Sequence, residues 1–338
     1  MADIPQPRRA VPHGGRLRAA AHHWRIPLQH WLDLSTGINP QGWPVPELPA
    51  AVWQRLPEDE DGLVMAMTSY FGTAPILPVP GSQAAIQSLP RLWATSRIGI
   101  VSPTYAEHAR AWQRAGHVVR EIAFEDVDRH LPVLDVLLVV NPDNPTGSLR
   151  PRVQLEAWRE TLAARGGCLI VDEAFIDATP GHSLLADAGR PGLVLLRSLG
   201  KFWGLAGVRC GFVLGPQTII TALGEEIGPW ALSHPARWIA QRALADVAWQ
   251  AATRERLQRD SARLADLLVA NGLASPSGCA LFRWLPSSRA REFHAHCAQH
   301  AILVRHFPEL PHTGVRIGLP PDEAGWDKLA AVLQGWQP

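Results

Sequence analysis

The sequence predicts an α/β protein in which a largely parallel sheet is followed by a smaller α+β unit. Three observations predict it. From about residue 76 to 215, short runs rich in Val, Ile and Leu alternate with longer stretches of helical character. Four of those runs end at once in polar or Gly- and Pro-containing turns. After about Gly228 the texture becomes a long Ala-, Leu- and Arg-rich helical stretch and then short strands around one helix.

The elements follow in order. Gly81-Ser82-Gln83 opens a helical stretch over 84–93, which Pro90 is expected to kink or end. Ser82 suits an N-cap, and free amides at a helix start form an anion site. Strands are expected over 98–101, 134–140, 168–171, 193–196 and 208–214. The first four lead into Ser102-Pro103-Thr104-Tyr105, 141–147, Asp172-Glu173-Ala174-Phe175 and Ser198-Leu199-Gly200-Lys201. Ligands of open α/β sheets sit beyond the carboxyl ends of the strands, so the chemistry is expected where these turns converge. Beyond them, 231–271 reads as one helical stretch, with short strands near 280–284, 302–304 and 315–319 and a helix over 289–300.

Composition narrows the function. The chain has 338 residues, 46% hydrophobic and 19% charged, enough for a buried core and too apolar for disorder. Its 32 Lys and Arg balance 31 Asp and Glu, which gives nucleic acid little electrostatic reason to bind. No apolar run approaches the roughly 20 residues of a membrane span. Cys168, Cys210, Cys279 and Cys297 show no CxxC spacing and read as reduced thiols of a cytoplasmic protein. The amino-terminal arm carries Arg8, Arg9, Arg16, Arg18 and Arg25 without an apolar secretory core; a solvated arm is favoured over a transit peptide. His294, His296, Cys297 and His300 share helical spacing but do not converge as one tetrahedral site, so no metal is expected.

Four constellations carry chemistry. A lysine in the Gly-containing turn of RSLGKFWGLAGVRCGF follows a buried strand, so its amine is expected at a lowered pKa suited to Schiff-base chemistry, with Ser198 and Arg209 able to share one phosphate. The Ser-x-x-Lys spacing of Ser198 and Lys201 also occurs in serine acyl-transfer enzymes, but their SDN and KTG partners are absent. Asn141-Pro-Asp-Asn144-Pro-Thr-Gly147 is a rigid loop from which Asn144 can donate to a ligand oxygen. Asp172 ends an apolar strand and needs a cation or donor nearby. Gly81-Ser82-Gln83 is the fourth.

Together these residues resemble the fold-type I pyridoxal-phosphate enzymes, in the branch that holds histidinol-phosphate aminotransferase. The order GSQ, PTY, NPDNPTG, DEAF, SLGK and VRCGF matches that family over nearly the whole chain. The resemblance implies a large cofactor-binding domain with a mostly parallel seven-stranded sheet over 41–230, a smaller α+β domain over 231–338, and an arm over 1–40 that joins the small domain. It implies that Lys201 holds pyridoxal 5′-phosphate covalently, Asp172 pairs with the pyridine nitrogen, Asn144 bonds the ring hydroxyl oxygen and Tyr105 lies against the ring. Ser82, Gln83, Ser198 and Arg209 would hold the cofactor phosphate. The family usually has Tyr at Phe175, and often Tyr-Pro-Asp at Leu56-Pro57-Glu58, where the Tyr reaches across a homodimer; neither contact is expected here, although the homodimer is.

His13-Gly14-Gly15, the run from Leu32 to Pro40 and RLPEDEDGL resemble the subgroup that decarboxylates threonine phosphate in cobalamin biosynthesis. The implied reaction is loss of CO2 from L-threonine O-3-phosphate to give (R)-1-amino-2-propanol O-2-phosphate. Arg316 matches the family's carboxylate-binding arginine; Arg305 and His13 are candidates for the substrate phosphate, with Gly14 and Asn39 beside them. The alternative is an aminotransferase for histidinol phosphate or a related amino acid. A non-catalytic binding module would not need Lys201, Asp172 and Asn144 together.

Overall fold

A computed structural model describes residues 13–274, 276–310 and 312–337; Arg8 and Arg9 lie outside the described residues. The described chain opens with the helix Leu17–Trp24 and strand β1 (Leu32–Asp33). The central sheet comprises β2 (Ile76–Val79), β3 (Arg97–Ser102), β4 (Val118–Ala123), β5 (Val136–Val140), β6 (Cys168–Asp172), β7 (Leu193–Ser198) and β8 (Gly211–Leu214), in the order β2-β8-β7-β6-β5-β3-β4. Only β8 runs against its neighbours.

Every residue of β5, β6 and β7 is buried, because helices cover both faces of a parallel sheet. Alternate side chains of β5 enter different cores. Leu137 and Val139 pack with Leu155 and Trp158 of the helix Arg152–Ala163, while Val136, Leu138 and Val140 pack with Ile86, Trp112 and Leu223 on the other side. This double burial makes the central strands readable as continuous apolar runs. The edge strands are not: β2 contains Pro78 and β4 carries Arg120 and Glu121, both tolerated where one side faces no partner.

Three expected boundaries shift. The last strand begins at Gly211, because Val208 ends a 3-10 turn and Arg209 holds a left-handed φ of 56° that no strand contains. The stretch 231–271 forms two helices, His234–Ala245 and Val247–Ala270, parted at Asp246, whose carboxylate accepts from Trp249 N–H at 3.0 Å. The helix after Gly81 is Ser82–Ser88; Pro90 sits in the 3-10 turn Leu89–Leu92 that follows.

The carboxy-terminal unit adds β9 (Ser277–Cys279), β10 (Phe282–Pro286), β11 (Ile302–Leu303), β12 (Arg305–Phe307) and β13 (Gly314–Gly318). An antiparallel sheet runs β12-β13-β10-β9, backed by the helix Ala290–Gln299. β11 pairs with β1 in parallel, Leu32 opposite Ile302, which fastens the amino-terminal arm to this unit.

Candidate active site

The carboxyl ends of β3, β5, β6 and β7 open on one cavity of about 760 Å³. Lys201, Asp172, Asn144 and Tyr105 line it from the sheet; Thr36, Gly37, Arg305 and Arg316 line it from the arm and the carboxy-terminal unit. Lys201 follows β7 in a turn, its Nζ 5.5 Å from the centre of the Phe175 ring. Loss of hydration pushes its amine down to about 8, with the Arg316 guanidinium next; Asp172 pulls the other way, and Arg209 adds the smallest push. The amine is therefore still mostly protonated at pH 7 and loses its proton about one pH unit higher.

Asp172 ends β6 and is almost wholly buried. One oxygen accepts from Ala174 N–H at 3.0 Å and the other lies 2.9 Å from His108 Nε2. A carboxylate accepts only, so the imidazole proton resides on Nε2. His108 is the functional residue that sequence reasoning missed. It stands three residues after Tyr105, on the helix Glu107–Arg114, and only the packing of that helix over the sheet brings it to Asp172.

At one end of the cavity Ser82, Gln83, Ser198 and Arg209 converge, because β8 lies between β2 and β7 with Gly211 opposite Ser198. Gly81 has φ 76°, and a Cβ there would lie 2.6 Å from Arg209 Nη2. Gln83 Oε1 accepts from the Tyr105 hydroxyl at 3.2 Å, and burial pushes that phenol up to about 12.

At the other end, β12 and β13 set Arg305 directly opposite Arg316. Arg316 is buried; it donates to Asn144 Oδ1 at 2.5 Å and to the Ser35 carbonyl at 2.9 Å, while its Nε has no partner among the described residues. Desolvation, with Arg305 next, lowers its pKa to about 10. Arg305 sits 3.5 Å from Glu309 and its guanidinium stacks on Phe307 at 4.5 Å. His13 lies 3.2 Å from Glu107, its ring 6.0 Å from that of Tyr105. Gly14 lines the cavity where a Cβ would come within 2.4 Å of the Ser35 carbonyl.

One sequence expectation is corrected. Asn39 does not line the cavity: its amide donates to the Phe202 carbonyl at 2.8 Å and accepts from Gln41 N–H and Arg256, so it stands behind the Lys201 turn and Gly37 faces the ligand space instead. Trp203 is buried behind the same turn, edge-on to Tyr70 and Phe202. Leu56 is solvent-exposed and Phe175 packs edge-on against Phe282. Among the described residues no three His, Cys, Asp or Glu side chains are arranged to hold a metal ion.

A lysine of lowered pKa, facing a buried carboxylate held by an imidazole and set at the carboxyl ends of a mostly parallel sheet, defines a class of enzyme that holds its cofactor through an amine. The chain belongs to the aminotransferase class I and II family, whose model matches residues 47–333. Within that family it is 51% identical, over 97% of this chain and 98% of the relative, to a protein of Pseudomonas aeruginosa named threonine-phosphate decarboxylase. It is 39% identical, over 96% of this chain and 97% of the relative, to one of the same name from Sinorhizobium sp.. In fold it is similar to the histidinol-phosphate aminotransferase of Sinorhizobium meliloti, a structure in complex with pyridoxal-5′-phosphate, at a TM-score of 0.79 and 22% identity over 96% of this chain and 98% of the other. The L-threonine-O-3-phosphate decarboxylase of Porphyromonas gingivalis aligns at a TM-score of 0.73 and 21% identity over 89% and 98%. Pyridoxal 5′-phosphate is the family's cofactor, and the residues present fit it: a desolvated amine, a buried carboxylate, and a glycine-floored cup for an anion beside Arg209.

Proposed function

We propose that this chain decarboxylates L-threonine O-3-phosphate, releasing CO2 and 1-amino-2-propanol O-2-phosphate. The observation that carries the reading is the facing pair Arg305 and Arg316, two guanidiniums on adjacent strands aimed into the cavity that holds Lys201. A substrate with a carboxylate and a phosphate supplies two anions for them. The likeness to relatives named for this activity supports the same choice of substrate.

Lys201 would hold the cofactor, Asp172 would face its ring nitrogen, Asn144 its ring hydroxyl oxygen and Tyr105 its face; Ser82, Gln83, Ser198 and Arg209 would take its phosphate. Bound there, pyridoxal phosphate supplies a sink for the electron pair left on Cα when a bond to that carbon breaks. His108 fixes the Asp172 carboxylate, which keeps negative charge at the nitrogen end. Arg316 would bind the substrate carboxylate, with Arg305 and His13 at the phosphate and Gly14 leaving room beside them. An arginine on the leaving carboxylate favours the ground state, so rate must come from the remote phosphate, which holds the Cα–carboxylate bond in its reactive orientation. With its amine at about 8, Lys201 can return a proton to Cα near neutral pH.

The working unit of this reading is a cytoplasmic homodimer, with residues 13–40 of the described chain as an arm to the carboxy-terminal unit. Trp53, Val64, Met65 and Trp230 are large apolar side chains left in solvent, candidates for burial against a second copy; the four cysteines are unpaired, as in a reducing compartment. The test supplies threonine phosphate and histidinol phosphate, each with and without 2-oxoglutarate. Consumption of threonine phosphate without the oxo acid is expected; turnover that requires it would overturn the assignment in favour of amino transfer.

A further inference from the structure

The turn that carries Lys201 presents three consecutive carbonyls, and the amino-terminal arm bonds all three. Asn39 N–H donates to the Lys201 carbonyl at 3.0 Å, Asn39 Nδ2 to the Phe202 carbonyl at 2.8 Å, and Trp43 N–H to the Trp203 carbonyl at 2.8 Å. Arm and turn meet so closely that a Cβ on Gly42 would lie 2.9 Å from the Trp203 carbonyl oxygen. The Asn39 amide is oriented by neighbours of opposite kind: Phe202 offers an acceptor, whereas Gln41 N–H at 3.0 Å and Arg256 Nη2 at 2.8 Å offer only donors to Oδ1. Arg256 belongs to the helix Val247–Ala270, so one buried amide joins the arm, the carboxy-terminal unit and the lysine turn. Four residues earlier the same arm supplies the Ser35 carbonyl to Arg316.

We propose that Asn39 is a positioning residue for Lys201, oriented by Arg256, and that the arm from Ser35 to Trp43 ties the seating of Arg316 to the seating of the lysine. The proposal rests on the reading of Lys201 as the cofactor-bearing amine. Its chemistry separates close substitutes. Asn39→Asp keeps the size and strengthens the contact with Arg256, but sets an anionic oxygen against the Phe202 carbonyl, so the turn is released while the rest of the cluster stays paired. Arg256→Met removes one of the two donors to Oδ1 and leaves Gln41 N–H in place, so the amide is held less firmly against Phe202.

The test uses the holoenzyme for three readouts and the cofactor-free protein for a fourth. Asn39→Asp is expected to melt within about 3 °C of wild type and to move the pH midpoint of the cofactor's visible band. Its kcat should fall about tenfold or more with KM changed less than about threefold, since misplacing a reacting group by about 1 Å can cost about 100-fold. In the cofactor-free protein, the pH dependence of reductive methylation at Lys201, followed by mass spectrometry, should move with it, and Arg256→Met should give a smaller shift of the same sign. Wild-type midpoints and kcat in both variants would overturn the proposal, as would lower melting temperatures with unmoved midpoints, which is what a merely structural role gives. If wild-type protein itself forms no visible band with pyridoxal phosphate, the underlying reading of Lys201 fails instead.

Discussion

Replacing Lys201 by Met should stabilise the cofactor-free protein at neutral pH, against the usual direction of active-site truncations. The amine lies at about 8 in the fold and at 10.5 when unperturbed, so the unfolded chain binds more protons between those two values. Stability of wild type therefore rises with pH through that window, and the penalty is fully present below about pH 8. Holding the amine at about 8 costs about 3 kcal/mol at pH 7 and about 1 kcal/mol at pH 10. Met keeps an unbranched chain of similar reach without the charge. Urea midpoints of cofactor-free wild type and Lys201→Met at pH 7 and pH 10 measure the difference: the variant should lead by about 3 kcal/mol at the first pH and by about 1 kcal/mol at the second. Equal stabilities at pH 7, or a lead that does not shrink as pH rises, would refute a desolvated ammonium at this position.

Arg305→Ala should raise KM for threonine phosphate by about tenfold or more while leaving cofactor affinity unchanged, by loss of a charge-assisted pair; equal loss of both would remove Arg305 from the substrate-phosphate role. Gly81→Ala places a methyl 2.6 Å from Arg209 Nη2 at φ 76°, so equilibrium dialysis should show weaker pyridoxal phosphate binding, and wild-type affinity would mean that the cup does not hold the phosphate. Met65→Glu puts a charge at an exposed apolar position and should shift sedimentation from dimer toward monomer; an unchanged value moves the interface elsewhere.

The centre of the fold was legible because β5, β6 and β7 are buried on both faces and read as unbroken apolar runs, each ending in the turn that supplies a site residue. The edges were not, since Pro78 and the charges of β4 break that pattern. Lys201, Asp172 and Asn144 stand at strand ends, where sequence order alone predicts convergence. His108 and the facing of Arg305 with Arg316 depend on helix packing and strand register, which no local spacing encodes. Asn39 was misplaced for a related reason: in an extended segment the motif does not say which side chain turns inward, and here Phe202 and Arg256 draw the amide away from the cavity while Gly37 lies against Phe175 and Phe282.

The central claim is that the carboxylate carbon leaves while nitrogen and phosphate remain on the product. Following threonine phosphate labelled with 13C at the carboxylate by NMR tests this directly. The label should appear in CO2 and bicarbonate in step with an equal amount of phosphorylated aminopropanol; label retained in a 2-oxo acid would contradict it.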